Sequence, residues 1–188
     1  MKKANLTIIS IFISFAALAQ YDYESSATLP FGKPNPKAPE QIRDFEPMIG
    51  ECNCKSVTRN QDGTWAEPVD MIWRFKYIMN GFAVQDETLK TDGTFSGSIR
   101  QFSADSSKWY VHYYTSKFPR QTLSTWEGNK IDGKIILYKE QKAPNGTEGF
   151  YKITFYDMTE NGYKWIGEWV NKDESIIYPT WKIECTKE

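Results

Sequence analysis

Turn signals recur about every ten residues from Gly50 onward, and this spacing restricts the possible folds more than any other feature of the sequence. The signals are Gln61-Asp62-Gly63, Asn80-Gly81, Asp92-Gly93, Ala104-Asp105-Ser106-Ser107, 128–133, Pro144-Asn145-Gly146, Asn161-Gly162 and Asn171-Lys172-Asp173. Asn-Gly and Asp-Gly pairs supply the positive φ angles that tight hairpin turns require. Short turns at such regular intervals are typical of an antiparallel all-β domain.

Between the turns the sequence predicts about ten strands, at 50–60, 65–79, 82–91, 95–103, 108–115, 121–127, 134–142, 149–157, 163–170 and 175–185. Aromatic residues make up 15% of the chain, and aromatic enrichment favours strands. Because nearly every connection is a short hairpin, the strands form an up-and-down meander, which exposes two edges unless it closes. We therefore expect an all-β fold, an antiparallel up-and-down β-barrel of about ten strands.

The barrel is preceded by a short helix and a proline-rich lead-in. Pro39 can start a helix that runs through Phe45 and ends at Gly50, where glycine allows a sharp turn into the first strand. Residues 20–40 contain four prolines among Ser, Lys and Asn, a composition that predicts an extended linker. The sequence thus divides into residues 1–19, the linker 20–40 and a single β-barrel domain, 41–188.

Residues 1–19 have the features of a signal peptide. Lys2 and Lys3 precede a short apolar run that ends in Ala17-Leu18-Ala19, which predicts cleavage before Gln20 and a periplasmic or secreted protein. A transmembrane anchor fits less well because the apolar run is short. A lipid anchor is not expected either, since no cysteine lies near the predicted cleavage point. Cleavage removes two of the 23 basic residues, so 24 acidic residues leave a net charge of −3. That balance argues against nucleic acid or an anionic membrane as partner.

A resemblance to known proteins lies at the entry to the barrel. A short helix followed by Gly50-Glu51-Cys52 resembles the Gly-x-Trp entry of lipocalins and related calycins, with cysteine in place of tryptophan. Over residues 45–185 the chain also resembles calycin-like bacterial domains of unknown function, in Trp73-x-Phe75, 81–86, Ser98-Ile99-Arg100-x-Phe102, Lys108-Trp109, Trp126-Glu127-Gly128 and Tyr163-Lys164-Trp165. The resemblance implies a lipocalin-like barrel, in families often associated with small apolar ligands, and implies no activity.

Three cysteines in an exported chain predict one disulfide and one free thiol. Cys52 and Cys54 are two residues apart on one strand, a poor geometry for bonding each other. If the first and last strands meet, Cys185 reaches one of them, and Cys54 is favoured because Cys52 takes a core-packing position. A three-thiolate metal site is the weaker alternative, because zinc normally takes a fourth protein ligand.

Few residues could carry catalysis. His112 is the only histidine, which argues against histidine triads and multi-histidine zinc centres, and a hydrogen-bonded strand histidine fits it better than a haem ligand. Asp86 or Glu87 must face inward, where a carboxylate could exchange protons. The favoured alternative is an ion pair with Arg74 or Arg100, or exposure to solvent near the barrel rim. We assign no catalytic residue, cofactor or metal.

Alternation within the strands predicts an aromatic inner face. A ten-stranded barrel is wider than its own side chains readily fill, so this face could form the wall of a ligand cavity. The residues predicted to bind a ligand are Trp73, Phe75, Tyr77, Tyr151, Phe155, Trp165, Trp169 and Trp181, with Gln85 and Arg100 as polar anchors. The strand at 108–115 is aromatic on both faces, so its orientation stays open.

These patterns favour a non-enzymatic barrel that binds a small, largely apolar or aromatic molecule. The first alternative is an enzyme, of isomerase or hydrolase type, acting on such a molecule through Asp86 or Glu87. The second is an interaction or structural protein whose barrel is filled by its own side chains. The presence of a cavity would exclude the filled barrel and leave the binding protein and the enzyme. A desolvated carboxylate beside that cavity would favour the enzyme.

Overall fold

The computed structural model describes residues 21–187, and its sheet is a closed antiparallel barrel of ten strands. Each strand pairs with its neighbours in sequence, and the first pairs with the last. The strands are β1 (Gly50–Thr58), β2 (Val69–Ile78), β3 (Ala83–Lys90), β4 (Phe95–Ser103), β5 (Lys108–Thr115), β6 (Ser124–Ile131), β7 (Lys134–Glu140), β8 (Gly149–Thr159), β9 (Gly162–Asn171) and β10 (Ile177–Thr186). The predicted all-β up-and-down barrel is confirmed. The predicted signal peptide and its cleavage point before Gln20 lie outside the described residues.

Two strand boundaries differ from the prediction by four residues, and the others by three or fewer. Residues 65–68 do not belong to β2; Trp65 instead forms an isolated bridge with Arg59, and Pro68 lacks the N–H that a strand needs. Strand β6 runs four residues further than expected because its hairpin to β7 turns at Asp132-Gly133, both with positive φ. Positive φ at both central residues is the geometry of a type I′ turn, whose twist matches that of the strands it joins.

The lead-in helix is a 3₁₀ helix, Glu40–Met48, that closes one end of the barrel. Ile42, Phe45 and Met48 point into the barrel and are at most 1% exposed. The ring of Phe45 packs edge-on against the Trp109 ring, at a centroid distance of 4.8 Å. The indole N–H of Trp109 donates to Asp44 Oδ2 at 3.0 Å, so a polar contact fixes the helix over the end that its apolar face fills. We call this helix and its buried side chains the plug.

Residues 21–39 lie against the plugged end of the barrel. The Tyr77 N–H donates to the Phe31 carbonyl, and the Asn35 N–H donates to the Gly81 carbonyl. The side-chain amide of Asn35 donates to the Asn80 carbonyl at 3.0 Å. A side chain at position 81 would approach the Asn35 nitrogen to 2.5 Å, so only glycine lets the lead-in pack this closely. No helix among residues 21–187 is long and apolar enough to cross a membrane.

A disulfide joins the two strands that close the barrel. Cys54 of β1 lies directly opposite Cys185 of β10 and is bonded to it, as predicted. Cys52 is free and buried, and its partner position in β2 is Trp73. Such a bond is typical of proteins that fold in an oxidising compartment outside the cytoplasm.

Candidate functional site

The middle of the barrel encloses a cavity of about 140 Å³. Four tryptophans from four different strands form much of its wall: Trp73, Trp126, Trp165 and Trp181. The rings of Trp165 and Trp181 meet edge to face at 5.1 Å, and Ile153 of β8 and Ile183 of β10 complete the apolar side. Because successive strand residues face opposite sides, these residues reach one space from distant parts of the sequence.

A buried ion pair forms the floor of the cavity. Asp86 Oδ1 binds the guanidinium of Arg100, and Asp86 Oδ2 accepts a hydrogen bond of 2.7 Å from the Trp73 indole. The Arg100 guanidinium also lies 5.0 Å and 4.9 Å from the ring centroids of Phe45 and Phe75 in the plugged end. Both carboxylate oxygens of Asp86 are therefore engaged in holding the barrel together, which suits a structural role better than proton transfer.

Hydroxyl groups give the cavity a second polar side. Thr88, Ser96 and Ser98, on β3 and β4, all line it. The hydroxyls of Thr88 and Ser96 bond each other at 2.5 Å. Hydroxyls can donate or accept, so this side can orient a polar atom of an otherwise apolar molecule.

The end of the barrel opposite the plug opens to solvent through a cleft of about 550 Å³. Tyr113, Trp126 and Tyr151 line both the cleft and the inner cavity, so the two spaces share one wall. The segment 116–123, between β5 and β6, contributes the exposed ring of Phe118 to the cleft. We call this opening the mouth.

Four cations line the mouth: Lys90, Lys117, Arg120 and Lys139. The ammonium group of Lys90 lies 4.5 Å from the Trp181 ring centroid, and that of Lys139 lies 4.5 Å from the Trp126 centroid. Burial lowers the pKa of Lys90, while Asp92 opposes the shift. Burial also lowers the pKa of Lys139, and the positive charge of Arg120 adds to that effect.

Five of the ten residues predicted to bind a ligand line the cavity: Trp73, Arg100, Tyr151, Trp165 and Trp181. Phe75, Tyr77 and Phe155 point inward as predicted, but they lie deeper, in the packed plugged end, and are at most 2% exposed. They form core rather than cavity wall. Alternation predicted the face of these residues correctly, but it carries no information on depth along the barrel axis.

The other two predicted residues lie elsewhere. Gln85 is on the outer face, because its neighbour Asp86 points inward, and its amide donates to the Tyr114 hydroxyl at 2.9 Å. It therefore cannot anchor anything in the cavity. Trp169 lies at the rim, where its indole donates to the Gln141 carbonyl at 2.9 Å, and it does not line the cavity.

Several residues of the site were not predicted from the sequence. Strand β5 places Trp109, Val111 and Tyr113 inward, which its two aromatic faces had left open. Trp126 lies within the predicted strand 121–127, but no inward face was assigned to that strand; Trp126 shares its face with Ser124, which lines the mouth. The mouth cations had no visible pattern, since they come from β3, β7 and the segment between β5 and β6.

Other polar groups do not form a reactive centre. Among residues 21–187, no group of three or more His, Cys, Asp or Glu side chains could hold a metal ion. His112 lies on the outer side of the barrel, with Nδ1 3.0 Å from the Thr125 hydroxyl. Burial raises the pKa of the Cys52 thiol, and the nearby charge of Lys187 only partly opposes this.

No protein-family model matches this sequence, and comparison with curated proteins finds no significant match. The fold and the geometry of the site therefore carry the functional argument.

Proposed function

We propose that this protein is an exported, non-enzymatic barrel that binds a small, largely apolar or aromatic molecule. The observation that carries the proposal is the tryptophan-lined cavity of about 140 Å³, which shares Tyr113, Trp126 and Tyr151 with the lining of an open mouth. A cavity of about 150 Å³ with apolar walls is large enough to hold one benzene ring. A barrel filled by its own side chains, the structural alternative, would leave no such space.

The chemistry of the wall favours an apolar body with one or two polar atoms. Indole rings offer large apolar faces that stack on a planar molecule, and the hydroxyls of Thr88, Ser96 and Ser98 can orient a polar atom. A compact ligand that buries most of its surface there could bind with a dissociation constant near the micromolar range, about −8 kcal/mol. Because both oxygens of Asp86 are engaged, catalysis through that carboxylate is not part of the proposal.

Export is supported by two independent features. The disulfide between Cys54 and Cys185 fits an oxidising compartment, and the N-terminal residues have the charge and hydrophobicity of a signal peptide. We propose cleavage after Ala19 and a periplasmic or secreted mature protein. The lipocalin-like relationship suggested by Gly50-Glu51-Cys52 belongs to the same proposal, since the closed up-and-down barrel has the architecture expected of that group.

Binding can be tested with a neutral ring compound, 3-phenylpropan-1-ol, by following the tryptophan fluorescence of the folded protein. Saturable quenching is expected from the wild type. Ile153→Phe fills the cavity with an extra ring and should abolish the response, whereas Ile166→Phe, on the outer face of the neighbouring strand β9, should preserve it.

The proposal fails if 3-phenylpropan-1-ol and the carboxylate of the same shape, 3-phenylpropanoate, both leave the fluorescence unchanged. It also fails if Ile153→Phe, shown to be folded by its thermal unfolding transition, binds as well as the wild type.

A further inference from the structure

We propose that the bound molecule is an amphipathic anion whose single ring or short chain enters the cavity while its charged group binds the cations of the mouth. This inference rests on the proposed function and adds the chemical class of the ligand. It begins from the charges of the mouth, which the apolar cavity does not explain.

The mouth has four cations and a single carboxylate in its lining. Lys90, Lys117, Arg120 and Lys139 face only Asp92 there, and none of the four forms an ion pair with an acidic residue of the described chain. Lysines elsewhere on the barrel do have such partners: Lys55 with Asp70, Lys108 with Glu127, Lys152 with Glu174 and Lys164 with Asp157. The mouth therefore concentrates positive charge that the protein itself does not neutralise.

Two of these cations are also partly removed from water. Lys90 and Lys139 are half-buried against tryptophan rings, and burial lowers the pKa of each. Desolvation of a charged group is unfavourable unless an opposite charge compensates for it. Asp92 is exposed and close to both Lys90 and Lys117, so it compensates one side of the mouth only. An anion in the mouth would supply the missing compensation.

The same two lysines adjoin the cavity. Each ammonium group lies 4.5 Å from the centroid of a tryptophan ring that lines it, Trp181 for Lys90 and Trp126 for Lys139. A molecule with its ring in the cavity thus needs only a short linker to place an anionic group at the mouth. The volume of about 140 Å³ limits the enclosed part to roughly one ring or a short chain.

The test compares two ligands of nearly equal shape, 3-phenylpropanoate and 3-phenylpropan-1-ol, by fluorescence titration of the full mature protein at low salt. The carboxylate is expected to bind at least about tenfold more tightly, because its charge-assisted hydrogen bonds are stronger than those of a neutral hydroxyl. The sulfonate analogue should share this advantage, since the inference concerns the charge and not one acid.

Charge-removing variants should act on the anion alone. Lys90→Gln and Lys139→Gln should each weaken carboxylate binding by about tenfold and leave the Kd of the alcohol unchanged. Lys134→Gln removes a cation at the plugged end of the strand that carries Lys139. It should leave the Kd values of both the carboxylate and the alcohol unchanged. If a half-buried lysine proves necessary for folding, the double variant Lys117→Gln/Arg120→Gln removes two exposed mouth cations and should still reduce the preference for the anion.

Three results would overturn the inference. Equal Kd values for the carboxylate and the alcohol would leave the proposed binding function intact but remove its anionic class. Equal losses for both ligands in the lysine variants would mean that the lysines act on the shape of the cavity and not through their charge. Binding to phosphatidylglycerol vesicles that is lost in Lys117→Gln/Arg120→Gln, without any preference for soluble anions, would make the mouth a membrane-docking surface instead.

Discussion

At the scale of single residues, the ion pair of Asp86 and Arg100 separates the packed end of the barrel from the cavity. On one side the guanidinium faces Phe45, Phe75 and Phe155; on the other both residues line the cavity. Arg100 Nε has no hydrogen-bond partner among the described residues, so the aromatic faces and Asp86 provide most of the environment of this charge. In a buried pair of this kind, each charge compensates the other, and removal of either one leaves an uncompensated charge in the interior.

Removing one member of the pair should be strongly destabilising. We expect Asp86→Leu to lower the free energy of unfolding by about 3–5 kcal/mol, because Arg100 would remain charged and uncompensated. Asp86→Leu/Arg100→Met should lose clearly less than the sum of the single variants, because it removes both charges. Urea unfolding measures the free energy of unfolding of Asp86→Leu, Arg100→Met and the double variant. Arg74→Gln, which breaks the exposed pair with Glu51, serves as control and should cost no more than about 1 kcal/mol. Additive losses at Asp86 and Arg100 would contradict this account.

Cys52 should behave as a hidden thiol. With Cys54 and Cys185 bonded, we expect one reactive thiol per chain in denaturant and none in the folded protein, as counted with a chromogenic disulfide reagent at pH 8. Burial raises the thiol pKa above its ordinary value of 9.0, so the folded state keeps the proton longer than the unfolded chain. The contribution of Cys52 to stability is therefore complete below pH 9 and is lost as the pH rises through the folded-state pKa. Three reactive thiols in denaturant would exclude the disulfide.

At the scale of elements, the plug determines which end of the barrel is open. Phe45 is fully buried among Phe75, Trp109 and Phe155. We expect Phe45→Ala to lower the free energy of unfolding by about 3–5 kcal/mol, the range for removing a buried aromatic ring. Glu46→Ala, one residue further on the exposed side, breaks only the surface pair with Arg43 and should have little effect. A similar loss in both variants would mean that the helix contributes through its backbone and not through its packed face.

The disulfide stabilises the pairing of β1 with β10. Cys54→Ala/Cys185→Ala should lower the free energy of unfolding by about 2–5 kcal/mol, because the bond closes a loop that spans 131 positions of the sequence. Thermal unfolding with and without reductant measures the same effect in the wild type. Since β1 and β10 also pair over six residue positions, we expect the reduced barrel to stay closed at low temperature. Unfolding at room temperature on reduction would show that backbone pairing alone cannot hold the closure.

Much of this architecture was predictable because local rules govern it. Turn residues fixed the number of strands, and alternation assigned the inward face of β2, β8 and β9 correctly. The errors at Phe75, Tyr77, Phe155 and Trp169 share one cause, namely that depth along the barrel axis depends on tertiary contacts. Gln85, by contrast, was placed on the wrong face of its strand. Phe75 and Trp73 lie on the same face of one strand, yet the plug covers the first and the cavity adjoins the second. Likewise, no short-range pattern predicts that Lys90 and Lys139 line the same opening, because only the closed sheet places them around it.

At the scale of the whole molecule, the barrel has two different ends. One end is sealed by a helix with an aromatic anchor and by the lead-in at 21–39; the other is a cleft lined by cations above a tryptophan-walled cavity. Packing alone does not require this asymmetry, since apolar side chains could have filled the mouth as they fill the plug. An arrangement that seals one end and keeps a charged entrance at the other suits reversible binding of a molecule that enters from solvent.

Binding should therefore stabilise the whole barrel as one cooperative unit. A ligand present at 100 times its Kd adds about 2.7 kcal/mol to the free energy of unfolding, provided that it does not bind the unfolded chain. For a domain of this size, that corresponds to a rise in melting temperature of about 5–10 °C. With 3-phenylpropanoate the rise should follow the logarithm of ligand concentration and disappear in Ile153→Phe, in which the cavity is filled. An equal rise in that variant would place the binding outside the cavity, because only a ligand enclosed by Trp73, Trp165 and Trp181 is sensitive to a ring added at position 153.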